Sequence, residues 1–226
     1  MSEPETVIWP MLDREERRVL GVLIEKQKTT PDTYPMSLNG VANGCNQKSN
    51  RDPVLDLPEL DVEDALDECF KKGLVTKIVG GRVEKWRHLL YDAWKVDKRE
   101  LAVLAELLLR GPQTEGELRT RVSRMESLDD LDTLRAVLKP LVERKLVVYL
   151  TAEDRRGAVL THGFHDPAEL ESLKRTAGSA SASPAPVRAT PPPQLEAAVA
   201  DLVRRVQALE AAFAQLTGTP PKETLS

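Results

Sequence analysis

The first three quarters of this sequence are two copies of one pattern, and a duplicated pattern limits the fold to something built twice. Leu12-Asp13-Arg14-Glu15-Glu16, running into Val19-Leu20 and Leu23-Ile24, returns as Val96-Asp97-Lys98-Arg99-Glu100 with Val103-Leu104 and Leu107-Leu108. Further on, Lys72-Gly73-Leu74-Val75 returns as Arg144-Lys145-Leu146-Val147. Each of these later echoes opens a stretch that reads as a short hairpin. A chain of 226 residues holds two small units of this kind plus a tail.

Local signals give each copy the same element order. In the first, Asp13 with Glu16 makes a capping box for a helix from about Asp13 to Lys26, stopped by Thr29-Thr30-Pro31. Ser37 to about Gly44 reads as a short second helix. Val62, Ala65, Leu66, Cys69 and Phe70 recur at helical spacing in a third, which Gly73 ends. Leu74 to Val79 and Arg82 to Leu89 read as strands around a tight Gly80-Gly81 turn. In the second copy, a helix over about Lys98 to Arg110 ends at Gly111-Pro112. A capping box at Thr114 and Glu117 opens the next. Leu131, Leu134, Leu138 and Leu141 mark the third, which Pro140 should kink or split. Val147 to Leu150 and Ala158 to His162 complete a second hairpin.

Three helices followed by a two-stranded hairpin is the layout of a winged helix. The expected fold is therefore mainly α with small β-hairpins (α+β): one winged helix over residues 1–95 and a second over 96–175. Residues 176–194 change to Ala, Ser, Pro and Gly. They cannot form a packed core and read as a disordered linker. Over residues 195–217, Leu195, Val199, Leu202, Val206, Leu209, Phe213 and Leu216 alternate spacings of four and three. That is a heptad seam with Leu at d and mostly Val at a, the pattern of a parallel coiled-coil homodimer. The alternative is an amphipathic helix folded back on the body.

A resemblance adds to this reading. Leu23-Ile24-Glu25-Lys26-Gln27, Thr29-Thr30-Pro31, Tyr34-Pro35, Leu38-Asn39 and the run from Cys45 to Pro53 closely resemble the YceH-like family of bacterial proteins. So do Leu107-Leu108-Leu109-Arg110-Gly111, Gln113-Thr114, Gly116-Glu117-Leu118-Arg119 and Arg124-Met125. The resemblance covers about Leu12 to His165. It implies a tandem winged-helix fold and little about activity. The linker and heptad tail lie outside it.

Most winged helices bind DNA and a minority bind proteins, so the fold alone does not decide function. The net charge of −4 leaves DNA binding to local patches. One candidate is the loop bearing Asn46, Gln47, Lys48, Asn50 and Arg51, whose amides and cations suit phosphate oxygens or base edges. The same residues would equally serve to cap helices and tie the loop down. The first hairpin offers Arg82, Lys85 and Arg87 with Lys77 and Trp86. The second helix of the second copy offers Arg119, Arg121 and Arg124, and the second hairpin is tipped by Arg155 and Arg156. Against groove reading, both third helices are acidic: Glu59, Asp61, Glu63, Asp64, Asp67 and Glu68 in one, Asp129, Asp130 and Asp132 in the other. That charge favours contact through the wings, or a protein partner.

Enzyme signals are poor. His162, His165 and Asp166 read as structural, so no metal and no cofactor are expected. Neither Cys45 nor Cys69 has a neighbouring His to activate it, and no Gly-rich phosphate loop is present. The two cysteines lack CxxC spacing and fit a reduced, cytoplasmic setting. No apolar run is long enough for a membrane span. The expected function is duplex DNA binding in transcription regulation by a non-enzymatic homodimer. The alternative is a protein-interaction scaffold.

Overall fold

In the computed structural model, residues 9–182 and 204–205 are described. The chain divides into a body from Met1 to Ala180 and a C-terminal unit from Ser181 to Ser226, of which Arg204 and Arg205 lie in helical backbone. The heptad residues Leu195, Val199, Leu202, Val206, Leu209, Phe213 and Leu216 fall outside the described residues. What is described is mixed α+β, with eight helices and two small antiparallel sheets.

The first copy contains α1 (Arg14–Thr29), α2 (Leu38–Cys45), α3 (Glu59–Lys71), β1 (Val75–Ile78) and β2 (Lys85–His88). A short α4 (Leu90–Trp94) leads to the second copy: α5 (Lys98–Arg110), β3 (Gln113–Thr114), α6 (Glu115–Val122), α7 (Leu131–Glu143), β4 (Val147–Tyr149) and β5 (Val159–His162). α8 (Pro167–Ala182) follows.

The duplication goes deeper than the two echoes. Asp13 and Asp97 both cap their helices in capping boxes completed by Glu16 and Glu100. The same two glutamates then bind the cation that ends each third helix. Lys72 Nζ lies 2.5 Å from Glu16, and Arg144 Nη2 lies 2.7 Å from Glu100. Those cations also donate to the chain just ahead of each box, Lys72 to the Met11 carbonyl and Arg144 to that of Lys95. The next residue takes a left-handed turn in both, Gly73 at φ 71° and Lys145 at φ 59°. Ladder positions match as well: Val75 pairs with His88, and Val147 with His162. Each histidine ring accepts at Nδ1 from the backbone N–H two residues on, that of Leu90 or Phe164.

The copies do not have separate cores. One apolar cluster runs from Leu12 through α1 and α5 to Phe164. α1 crosses α5 at Gly21, where a Cβ would lie 2.8 Å from Leu109 Cγ and 3.3 Å from Leu108 Cβ. Leu109 is fully buried and cannot swing clear. The chain before α1 reinforces the union. Trp9 Nε1 donates to the Arg144 carbonyl at 2.7 Å, and Leu12 N donates to Phe164 O at 3.0 Å.

Several local expectations are corrected. α7 passes through Pro140 unbroken, because that proline stands in the final turn, where its carbonyl still accepts from Arg144 N. The first hairpin is not closed by a two-residue turn; residues 79–84 separate its strands. β3 makes the second sheet three-stranded, in the order β3-β5-β4, and its counterpart in the first copy is a single bridge, Met36 with Trp86. α8 runs on to Ala182, past the residue-176 start expected for the linker, and alanine there sustains a helix.

Two measurements check this account. Gly21→Ala should destabilise the protein by about 1–3 kcal/mol through overpacking. Gly116→Ala, with nothing within 4 Å of the added Cβ, should be neutral to slightly stabilising; urea titration of both separates crowding from glycine removal itself. The second measurement concerns pH. Burial, aided by Lys28 and Arg87, lowers the His88 pKa from 6.5 to about 4. Burial, with His165 and Arg17 nearby, also holds His162 well below 6.5. The unfolded chain therefore binds more protons than the folded one between pH 6.5 and about 4. Stability is fully present above pH 6.5 and falls on acidification through that window, by about 3 kcal/mol for His88 alone. Denaturation midpoints at pH 7.5 and 5 should show the loss, and His88→Gln should make the profile shallower.

Candidate nucleic-acid interface

The loop after α2 is held from inside. Asn46 clamps it with two backbone bonds to Leu57, its Nδ2 donating to the carbonyl and its Oδ1 accepting from the N–H, both at 2.8 Å. Gln47 accepts from Lys26 Nζ and donates to Ser49 Oγ. Asn50 sits at φ 57°, a value asparagine tolerates better than most residues, and its Oδ1 accepts from Arg110 at 3.1 Å. Arg51 turns inward; its side chain has no exposed area. Its Nε donates to the Gly44 carbonyl, and Nη2 lies 2.5 Å from Glu25 Oε2. Of the five loop residues read as DNA contacts, Lys48 projects into solvent. Arg51 is removed from that set because a guanidinium buried against a carboxylate has no face for phosphate.

Arg124 is removed for the same reason. It lies just beyond α6 and reaches back between the copies to bond Glu25 of α1 and Glu106 of α5. Both glutamates are buried. Burial alone would raise the Glu25 pKa, but Arg51 and Arg124 outweigh it and leave the carboxyl below its usual value. Arg121 donates to Gln113 Oε1 at 2.7 Å and pairs with Glu117. Arg119 donates to the Asp129 carbonyl. The arginines of α6 thus brace their own repeat.

The hairpin cations stand apart from these. Arg82, Lys85 and Arg87 are exposed and have no carboxylate within ion-pair distance among the described residues. Lys77 differs, lying 4.6 Å over the Trp86 ring and near Asp67 and Glu84. Arg155 and Arg156 are exposed at the second hairpin. Both third helices keep their carboxylates outward: Asp61, Asp64 and Glu68 are exposed on α3, and Asp129, Asp130 and Asp132 at the start of α7.

His162 and His165 stack at 3.9 Å, and Asp166 accepts from the Ala168 and Glu169 N–H groups to cap α8. No group of three or more His, Cys, Asp or Glu among the described residues is arranged to hold a metal. Burial raises the Cys45 thiol to about 12 and pushes Cys69 up as well, so neither is a ready nucleophile. No described helix is long and apolar enough to cross a membrane. Sequence reasoning passed over one cationic group, Arg14, Arg17 and Arg18 of α1. The available signal was an arginine standing next to the apolar stripe of a helix that had to be buried.

Comparison with known proteins finds relatives that carry the name UPF0502 protein. A UPF0502 protein of Rhodopirellula baltica is 46% identical over 202 residues, covering 87% of this chain and 84% of its own. One from Aeromonas hydrophila is 43% identical over 223 residues, covering 95% and 100%. One from Geotalea daltonii reaches 57% over 134 residues, covering 59% and 62%. The family model described as a protein of unknown function, DUF480, matches residues 12–157, most of the duplicated body, and the chain belongs to that family.

Proposed function

We propose that the body is a tandem winged helix that binds duplex DNA through the wing of its first repeat, in a transcription-regulatory role. The observation that carries this reading is the division of the cations. Arg51, Arg124, Arg144 and Lys72 are committed to glutamates inside the fold. Arg82, Lys85 and Arg87 on the first wing and Lys48 on the α2–α3 loop are exposed without such partners. The tip between β1 and β2 also exposes Val79 and Val83, at 68% and 58%. An apolar tip ringed by cations suits a groove lined by phosphates. Carboxylates along α3 and at the start of α7 would repel phosphate, so these helices stay out of the groove and binding is weak in sequence preference. A dimer formed through the Leu195–Leu216 seam would give two such bodies a higher effective concentration on one duplex.

A second reading has its own support. The exposed side of α3 carries Leu60 and Phe70, 65% and 51% exposed, beside Asp61, Asp64 and Glu68. An apolar and acidic helix face fits a basic protein partner.

Fluorescence anisotropy on a labelled duplex, titrated across salt, separates the two. Four phosphate contacts predict a log–log salt slope of roughly −3 to −4. Arg82→Ala with Arg87→Ala should flatten it by about two, with thermal stability unchanged. A duplex that fails to bind at low salt would leave the protein-contact reading.

A further inference from the structure

A cavity of about 320 Å³ opens beside the junction of the two copies. Arg14, Arg17 and Arg18 line it from α1, Arg110 from the end of α5, and His165 and Glu169 from the corner leading into α8. Asp52 is the other carboxylate in the lining. Arg17 and Glu169 neutralise each other through a bidentate pair at 2.9 and 3.0 Å. Within the lining, Arg14, Arg18 and Arg110 then stand with one carboxylate, Asp52; Glu106, outside the lining, lies 3.1 Å from Arg110 but is shared with Arg124. Burial lowers the His165 pKa against the opposing pull of Glu169, so the neutral ring adds no charge at pH 7.

Arg18 is the unusual member. It is 3% exposed, and its bonds are to carbonyl oxygens, Nη1 to Cys45 at 2.9 Å and Nη2 to Pro53 at 2.7 Å. No carboxylate reaches it, and its buried Nε has no acceptor. A buried cation left uncompensated is costly, and proteins ordinarily pair it. Burial and the neighbouring Arg51 pull its pKa down to about 10, still high enough to keep it charged. Arg110 is only partly satisfied: its Nε comes within 3.1 Å of Glu106 Oε1, but without hydrogen-bond alignment, and both atoms remain without a bond. Arg14, on the exposed rim, has no carboxylate partner among the described residues.

We infer that this cavity is a binding site for a small phosphate ester, with the phosphoryl oxygens taken by Arg14, Arg18 and Arg110. Guanidinium groups match phosphate oxygens in both charge and fork geometry. The rest of the lining decides between an ester and the bare ion. Pro53, Leu108, Pro112 and Leu173 give the cavity an apolar side on which a carbon skeleton would rest. The volume is at the lower end of the usual range for small-molecule sites, about 300–1,000 Å³. Because the lining comes from both copies and from α8, an occupied pocket would tie all three together. This site stands apart from the wing cations, so its fate does not depend on the DNA reading.

The test is titration calorimetry of the full chain with glycerol 3-phosphate, inorganic phosphate and acetate at matched ionic strength. Glycerol 3-phosphate should bind, inorganic phosphate more weakly, and acetate not measurably. Arg14→Gln, on the solvent rim, should leave the unfolding transition in place and weaken ester binding roughly tenfold or more, the loss of one charge-assisted contact. Arg14→Lys should restore part of it. Absence of heat for both phosphate probes at millimolar concentration would overturn the proposal, as would unchanged affinity in Arg14→Gln. Displacement of the ester by duplex DNA would assign the pocket to a nucleic-acid backbone and overturn its small-molecule role.

Discussion

Arg124 holds the two copies together. One guanidinium bonds Glu25 of the first copy and Glu106 of the second, one helical turn from the close approach of α1 and α5 at Gly21. Arg51 closes the other side of Glu25. Buried ion pairs are a weak source of net stability, because desolvation offsets most of the attraction. Their effect here is positional. Beside Arg51, Glu25 takes a second partner from the α6 end of the second copy, Arg124, and the glycine at position 21 allows the helices to approach near enough for it to arrive. Apolar packing between α1 and α5 gives the adhesion, and the ionic network selects one register.

This arrangement divides the arginines into two populations with different jobs. Those near the α1–α5 seam and at the ends of the third helices stabilise the body and are spent. Those on the first hairpin remain open to solvent, and those around the cavity are held near one another with too few carboxylates. The net acidity of the chain hides both groups, since it averages over carboxylate-rich α3 and the aspartates at the start of α7. Function in such a protein is located by asking which cations lack partners, and the overall charge is no guide.

Much of the body was legible in the sequence because its determinants are local. Capping boxes at Asp13 and Thr114, the apolar stripe from Val62 to Cys69 and the glycine at position 73 each act within a few residues. The repeat was legible for the same reason, although its histidine members, His88 and His162, were not recognised as equivalents. What escaped depends on distant partners. Arg51 and Arg124 read as surface cations until Glu25, far away in sequence, turns them inward. β3 is two residues long and exists because β5 lies beside it. The last part of α8, residues 176–182, lies in an alanine-rich stretch whose composition reads as linker, where it continues a helix that Asp166 caps at the other end. Arg18 stands beside the apolar stripe of α1, which signals its burial, but nothing in its neighbours announces that its bonds go to carbonyls.

The central claim is that the two copies form one cooperative body, locked at α1 and α5. Native-state hydrogen exchange measures this residue by residue. The slowest amides of the first copy, in α1 and around Leu66, should open with the same free energy and the same denaturant dependence as those of α5 and around Leu138. Replacing Glu25 with Ala should lower both sets together. Two separate opening free energies, with Glu25→Ala reducing only the first, would show independent units that merely touch, and would contradict the account.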